Sequence, residues 1–152
     1  MKRLLLAFVC MLPALASAGS LEPLSATDVP TLLQPPAHGE RIIALWALDC
    51  AYCEQNLQAL ATLQRAHSEA IELITVATDS IEQHDAIEAR LRNARVEDYR
   101  ARAYAEASPE RINFLLDPNS GGELPRVLVI RADGSRLGFS GALTPAQLQK
   151  LH

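Results

Sequence analysis

The segment that decides the fold reads Leu45-Trp-Ala-Leu-Asp-Cys-Ala-Tyr-Cys53. It connects an apolar run, residues 41–47, to a stretch of helix formers with a leucine stripe, residues 51–66. An apolar run without alternation is typical of a strand covered on both faces, as in a central parallel sheet. The two cysteines are therefore predicted to lie where a buried strand gives way to a helix.

The position of the cysteine pair favours thiol chemistry. The free N–H groups and the dipole at a helix N-terminus stabilise a thiolate and lower the pKa of a cysteine placed there. Two intervening residues put the second sulfur one helical turn along, within disulfide reach of the first. Cys50 is the expected nucleophile because it lies nearer the helix end and is more exposed. Cys53, shielded in the first turn, is expected to resolve the mixed disulfide.

The remaining pattern predicts an alternating order of strands and helices. Two adjoining strands around an Asp133-Gly134 turn form a hairpin, and Thr144 and Gln147 then provide a capping box for a terminal helix. Other predicted elements are an extended lead-in and a short helix capped by Thr27 within 21–33, a strand over 71–77, a helix from Ser80, a weaker helix within 96–108, a strand at 112–116, and hairpin strands 126–131 and 136–140.

The first eighteen residues read MKRLLLAFVCMLPALASA and predict a signal peptide, residues 1–18, cleaved after Ala18. The apolar stretch of about a dozen residues is shorter than the ~20 that cross a bilayer, although an uncleaved anchor is the alternative. Cys10 would leave with the signal, so the exported chain keeps one close cysteine pair. Such a pair suits an oxidising compartment, and a bacterial periplasm fits the signal best.

Length and composition predict one globular domain in 152 residues, with 49% hydrophobic and 21% charged residues. Lys and Arg number 14 against 18 Asp and Glu, a net charge of −4, which argues against a nucleic-acid partner bound by a basic surface. After the signal peptide, we divide the chain into an N-terminal lead-in, 19–40, and a single domain, 41–152.

Three segments together resemble thioredoxin-fold proteins: residues 45–53, Gly122-Glu-Leu-Pro-Arg-Val-Leu-Val-Ile130, and Gly141-Ala142. With the signal peptide, the resemblance points to the periplasmic TlpA/ResA-like branch. It implies an α/β fold in which helices flank a central mixed sheet, with a C-terminal β-hairpin and helix. It also implies a Cys50–Cys53 disulfide and a cis proline at Pro125 that faces the cysteine pair.

The resemblance further implies how client proteins bind and react. The backbone edge at Leu124 is expected to bind the client, with Tyr52 and Trp46 as further substrate-binding residues, and Trp46 matches the family's tryptophan below the active site. The implied activity is protein-disulfide reduction. Implied partners are apocytochrome c or copper-site thiols as clients and a membrane thiol-disulfide transporter as the source of electrons. No cofactor beyond the redox-active disulfide, and no stable membrane insertion after signal cleavage, is expected.

The sequence also departs from the family pattern. Asp49 stands where the family usually has Trp, and its carboxylate should oppose thiolate formation at the next residue. Asn56 stands where the branch often has a proton-transferring Glu, and Ala44 stands where cytoplasmic thioredoxins have a buried Asp. Glu54 and Asp49 are candidate substitutes for the proton carrier, although the usual place of such carboxylates is the solvated surface.

Several alternative interpretations stay open. Tyr52 resembles the CxYC pair of periplasmic disulfide isomerases and keeps an oxidase or isomerase under consideration. A copper chaperone would use the two thiolates as soft ligands for Cu(I). A structural disulfide is less favoured because so short a loop constrains little chain entropy. A structural zinc ion needs four ligands, and the sequence offers no second cysteine pair, only scattered histidines at positions 38, 67, 84 and 152.

Overall fold

The structure is a computed structural model that describes residues 19–106 and 108–151. The predicted signal peptide, residues 1–18, and its cleavage after Ala18 lie outside the described residues. Within the described ranges, no helix is both long and apolar enough to cross a membrane.

A six-stranded mixed sheet forms the centre of the fold. Its strands are β1 (Leu21–Leu24), β2 (Glu40–Trp46), β3 (Ile71–Ser80), β4 (Arg100–Tyr104), β5 (Arg126–Arg131) and β6 (Arg136–Ser140). Their order in the sheet is β1-β4-β3-β2-β5-β6. The first four strands in that order are parallel to one another, whereas β5 runs antiparallel to β2 and β6 antiparallel to β5. The mixed sheet with a C-terminal hairpin is the architecture that the resemblance implied.

Helices cover both faces of the sheet, and the sheet separates two apolar clusters. The helices are α1 (Val29–Leu32), α2 (Cys53–Ala66), α3 (His84–Ala94), α4 (Pro109–Leu116) and α5 (Pro145–Leu148). One cluster lies between the sheet and α2 and α3, and the other between the sheet and α1 and α4. Alternate β2 residues enter opposite clusters, Ile42 and Ala44 on one side and Ile43 and Leu45 on the other, which explains the unbroken apolar run of this strand.

The C-terminal elements lie where the sequence predicts them. Strands β5 and β6 form the expected hairpin. Helix α5 begins with a complete capping box, in which the Thr144 hydroxyl accepts from the backbone N–H of Gln147 and the Gln147 side chain accepts from the N–H of Thr144. A 3₁₀ turn, Ile81–Gln83, is capped by Ser80 and precedes α3, so the regular helix starts later than predicted.

The prediction of a helix within 96–108 is wrong, because this stretch contains β4. Ala101 and Ala103 are 2% and 0% exposed, the preceding Arg100 is exposed, and Arg102 between the two alanines is intermediate. Alanine and arginine are good helix formers, but parallel pairing with β1 on one side and β3 on the other overrides that propensity. Small side chains fit the space beneath the helices here.

The prediction of a strand at 112–116 is also wrong, because these residues belong to α4. Pro109 occupies the first turn, where its missing N–H costs nothing. Ile112 and Leu116, four residues apart, are the buried residues of this helix. That spacing is helical, and the apolar window was too short to distinguish it from a strand.

The predicted lead-in contributes to the sheet and to the core. Strand β1 pairs in parallel with β4, and Leu24 is 0% exposed. Asp28, rather than Thr27, is the residue that precedes α1. The carboxylate of Asp28 instead accepts from the backbone and the hydroxyl of Ser25, which closes the turn between β1 and α1.

Candidate active site

The segment between β2 and α2 carries the exposed member of the cysteine pair. The backbone N–H of Cys50 donates to the Ala47 carbonyl at 3.2 Å, and that of Cys53 donates to the Cys50 carbonyl at 3.4 Å. The two cysteines form a disulfide with sulfurs 2.01 Å apart. Cys53, the first residue of α2, is 1% exposed, whereas Cys50 is partly exposed. A client sulfur can therefore reach Cys50 and not Cys53.

Asp79 holds the segment that leads to the disulfide. Its carboxylate Oδ2 accepts from the backbone N–H of Leu48 at 2.9 Å. Asp79 lies at the end of β3, and the parallel pairing of Trp46 with Ala77 brings that strand end beside the segment. Sequence reasoning missed this residue, because the contact depends on which strands are neighbours in the sheet.

Pro125 lies beside the same end of β2. The Leu124–Pro125 peptide bond is cis. Pro125 directly precedes β5, where Arg126 is paired with Leu45 of β2. Pro125 is buried, and Leu124 is half-buried, packing against both apolar clusters. The antiparallel pairing thus brings Pro125 to the end of β2 from which the chain continues to the cysteines.

Asn56 connects the cysteine-bearing helix to the chain that follows β6. It is 3% exposed and lies three residues after Cys53 on α2. Its amide donates to the Gly141 carbonyl at 2.9 Å, and its oxygen accepts from the Leu143 N–H at 2.9 Å. The TlpA/ResA-like branch that the sequence resembles often has a proton-transferring Glu at this position. Here the side chain is neutral, and it both donates to and accepts from the backbone.

Arg126 organises the loop that ends at Leu124. Its guanidinium donates to Asp117 Oδ2 from Nε at 3.0 Å and contacts Glu123 Oε1 at 3.3 Å. The arginine and aspartate side chains are 14% and 13% exposed, so this ion pair is largely buried. A Cβ at Gly138 would lie 2.5 Å from the guanidinium, so the glycine leaves the room that Arg126 occupies.

Glu123 completes this network on the solvent side. Its carboxylate accepts from the Ser140 hydroxyl at 2.5 Å and from the backbone N–H of Gly121 at 2.8 Å. These bonds, the Ser140 hydroxyl above all, favour the ionised carboxylate and lower the pKa of Glu123 to about 2. The loop in front of Leu124 is therefore held by a charged network rather than by apolar packing.

The other residues singled out in the sequence take different places. Tyr52 is 64% exposed and is accessible to a bound client. Trp46 is 1% exposed, which leaves no surface for direct contact with a client, and we therefore assign it to the core beneath the site. Asp49 is exposed, and the Glu54 carboxylate lies 3.7 Å from the Arg90 guanidinium, consistent with solvated helix-end charges.

Comparison with solved structures finds proteins of the same fold. The thioredoxin-related protein from Neisseria meningitidis serogroup B matches with a TM-score of 0.61 at 24% identity, covering 75% of this chain and 82% of the other. A secreted Mycobacterium tuberculosis disulfide oxidoreductase homologous to E. coli DsbE gives 0.58 at 16% identity, over 74% and 82% of the two chains. The thioredoxin domain of a thiol-disulfide oxidoreductase from Bacteroides vulgatus gives 0.56 at 12% identity, over 75% and 76%.

No protein-family profile matches the sequence, and no curated protein sequence matches it. The fold therefore rests on the structural likeness and on the sheet order, with the cysteine pair at the start of α2 and the proline before β5. These observations agree with the expectation that the sequence raised. The chain has a thioredoxin-like fold.

Proposed function

We propose that the protein is a periplasmic thiol-disulfide oxidoreductase that reduces disulfides of client proteins. The observation that carries the proposal is the Cys50–Cys53 pair, with Cys50 partly exposed and Cys53 buried at the start of α2. Solved structures of the same fold bear the names disulfide oxidoreductase and thiol-disulfide oxidoreductase, and one of these proteins is described as secreted.

The proposed reaction uses the two sulfurs in sequence. The reduced Cys50 thiolate attacks a client disulfide, forms a mixed disulfide and releases one client sulfur as a thiolate. Cys53 then loses its proton and attacks the Cys50 sulfur, which releases the second client thiolate. The client gains two electrons, the protein is left with its Cys50–Cys53 disulfide, and no further cofactor takes part. The N-terminus of α2 favours the thiolate form of Cys50.

The site residues have distinct proposed roles. Pro125 and the Leu124 backbone edge bind an extended client segment, and Tyr52 contacts that segment from the cysteine side. The clients that suit an exported reductase of this kind are apocytochrome c or the copper-site thiols of respiratory enzymes. A membrane thiol-disulfide transporter would return the Cys50–Cys53 pair to its reduced state. The signal peptide predicted from the sequence of residues 1–18 supports the periplasmic location.

The redox equilibrium of the pair tests the direction of the reaction. The protein is equilibrated with thiol buffers, Trp46 fluorescence reports the state of the pair, and thiol trapping verifies it. We expect a reduction potential below about −220 mV, which makes reduction of stable client disulfides favourable. A potential near the roughly −120 mV of a strong oxidant would overturn the reductase proposal. Cys50→Ser is the control that should abolish the transition.

A disulfide isomerase or oxidase is the second candidate, favoured by the 64% exposure of Tyr52 between the cysteines. A tyrosine there can pack on the apolar segments that a misfolded client exposes. The test is the recovery of native disulfides in a reduced and scrambled protein. Faster recovery with the wild-type protein than with Cys50→Ser would support this candidate, and equal rates would remove it.

A further inference from the structure

The Asn56 side chain makes two long-range hydrogen bonds, one as a donor and one as an acceptor. The side-chain amide donates to the Gly141 carbonyl, and the side-chain oxygen accepts from the Leu143 N–H, each at 2.9 Å. The partners lie 85 and 87 positions away in sequence, so these bonds tie α2 to a different part of the chain. Asn56 follows Cys53 by three residues, and both side chains are buried on the same side of α2.

The contact continues from Gly141 to the proline. The backbone N–H of Gly141 donates to the Pro125 carbonyl at 2.9 Å. Gly141 has a φ of +80°, a left-handed conformation that glycine adopts without strain. Two hydrogen bonds joined by the backbone of Gly141 therefore connect the Asn56 side chain to Pro125, the residue after Leu124.

A neutral amide is the side chain that matches this position. The site presents a carbonyl acceptor at Gly141 and an N–H donor at Leu143 at the same time. An asparagine satisfies both, a carboxylate satisfies only the donor, and an alanine leaves both backbone groups without their partner. Because the side chain is 3% exposed, water has little access to replace it.

We propose that Asn56 is a positioning residue that sets the Leu124–Pro125 backbone edge against the Cys50 sulfur for a bound client. The inference rests on the proposed function, because it assumes a client segment extended along that edge. Backbone hydrogen bonds to the Leu124–Pro125 edge would supply affinity for the client. The distance from the client sulfur to the Cys50 sulfur would then depend on the position of this edge. A displacement of about 1 Å in such a contact can cost up to ~100-fold in rate.

The test compares a peptide thiol with a small thiol at the same sulfur. Every protein carries Cys10→Ser and Cys53→Ser, so that Cys50 is the one thiol of a chain with three cysteines. Cys50 is first converted to its nitrothiobenzoate mixed disulfide with dithiobis(nitrobenzoic acid). An attacking thiolate then forms a new disulfide with Cys50 and displaces nitrothiobenzoate, whose absorbance gives the rate. The probes are a short uncharged peptide with one central cysteine among alanines, and N-acetylcysteine amide.

The ratio of the two rates is the readout. With Asn56 present, we expect the peptide to react about tenfold faster than N-acetylcysteine amide, because only the peptide can use the edge. Asn56→Ala should reduce this preference to near one while changing the small-thiol rate by less than about twofold. If Asn56→Ala does not fold, Asn56→Asp takes its place in the test. This variant keeps the acceptor and loses the donor, and it should lose the preference for the peptide as well.

Gln58→Ala is the matched control, since Gln58 is an exposed amide on the same helix whose side chain contacts Glu54 at 3.2 Å. It should keep the full preference. An equal fall in both rates in the Asn56 variants, no fall in either, or a preference near one with Asn56 present would each overturn the inference. The assay does not depend on the direction of client chemistry, whereas failure to reduce the disulfides of insulin would count against the proposed reductase alone.

Discussion

Two regions build the site by different physical means. Residues 40–66 run from β2 through the cysteines into α2, and they are held mainly by apolar burial on both faces of one strand. Residues 117–126 and 141–143 form the edge beside Pro125, and they are held mainly by polar side chains. The first region places the sulfurs through the packing of the core. The second places the proposed client edge through a few specific contacts.

This difference predicts separable consequences of mutation. Damage to the apolar region should reduce the stability of the whole fold, because its side chains belong to the shared core. Damage to the polar region should cost less stability and act more on the edge itself, because a hydrogen bond contributes a modest net free energy, whereas a side chain removed from the core leaves a cavity.

The largest loss of stability is expected for Trp46→Ala. Trp46 is 1% exposed, and removal of a buried aromatic side chain from a core costs about 3–5 kcal/mol in the free energy of unfolding. Urea denaturation followed by circular dichroism measures the loss. Phe114→Ala is the control, because Phe114 is 66% exposed and its removal should change stability by less than about 0.5 kcal/mol. A loss below about 1 kcal/mol for Trp46→Ala would contradict the claim that the region around β2 is held mainly by apolar burial.

The next largest effect is expected for Arg126→Leu. Removing the guanidinium leaves the largely buried Asp117 carboxylate, 13% exposed, without its charged partner, and we expect a loss of about 2–3 kcal/mol, as for hydrogen bonds to charged groups. Urea denaturation of oxidised protein checks the value. Arg92→Leu is the control, since Arg92 is 57% exposed in an i,i+4 pair with Glu88 and should matter by about 0.5 kcal/mol or less. Equal losses from both variants would show that the buried network has no special role.

A smaller effect is expected for Gly138→Ala. The new Cβ would approach the Arg126 guanidinium to 2.5 Å and push it away from Asp117, which should cost about 1–2 kcal/mol. In the Arg126→Leu background the same substitution should cost much less, because the network is already gone. A double-mutant cycle measured by urea denaturation gives this coupling, and strict additivity would separate Gly138 from the network.

The smallest effect is a pH dependence that belongs to Glu123. Its pKa is about 2 in the folded protein against an ordinary 4.5, so its ionised form stabilises the fold above about pH 4.5. That contribution is lost as the pH falls from 4.5 towards 2. Glu123→Gln should therefore flatten the fall in stability over this window, as measured by thermal denaturation at successive pH values. Glu110→Gln, an exposed carboxyl on α4 outside this network, is the control, and identical profiles for the two variants would contradict the assignment.

Prediction from the sequence succeeded where one local pattern was sufficient. The apolar run of β2 and the Thr144–Gln147 capping box both carry their signal within a few residues. Prediction failed at β4, where the alanine and arginine residues favoured a helix. It also failed at α4, where a short apolar window favoured a strand. In those places the choice between helix and strand depended on pairing with neighbouring strands and on burial in the core, and a short window of sequence carries no information about either.

In the candidate site, too, some features could be predicted from the sequence and others could not. The cysteine pair, its place at a helix start and the position of Pro125 could be identified from sequence motifs and family resemblance. The contacts of Asp79 and Asn56 could not, because each joins residues far apart in sequence. The contact of Arg126 with Asp117 could not either, because it depends on the folded shape of the loop before β5. The burial of Trp46 likewise follows from packing on both faces of β2.

The sequence by itself determined which sulfurs can react and why, since the strand, the helix start and the spacing of Cys50 and Cys53 are local properties of the chain. The tertiary structure alone decided what stands beside those sulfurs. Antiparallel pairing of β5 with β2 brought Pro125 to the end of β2 that leads to the cysteines, and the amide of Asn56 tied the chain after β6 to α2. The physical reason is that the signals for a buried strand, a helix start and a cysteine spacing act over a few residues, whereas contacts across the sheet depend on the free energy of packing the whole chain.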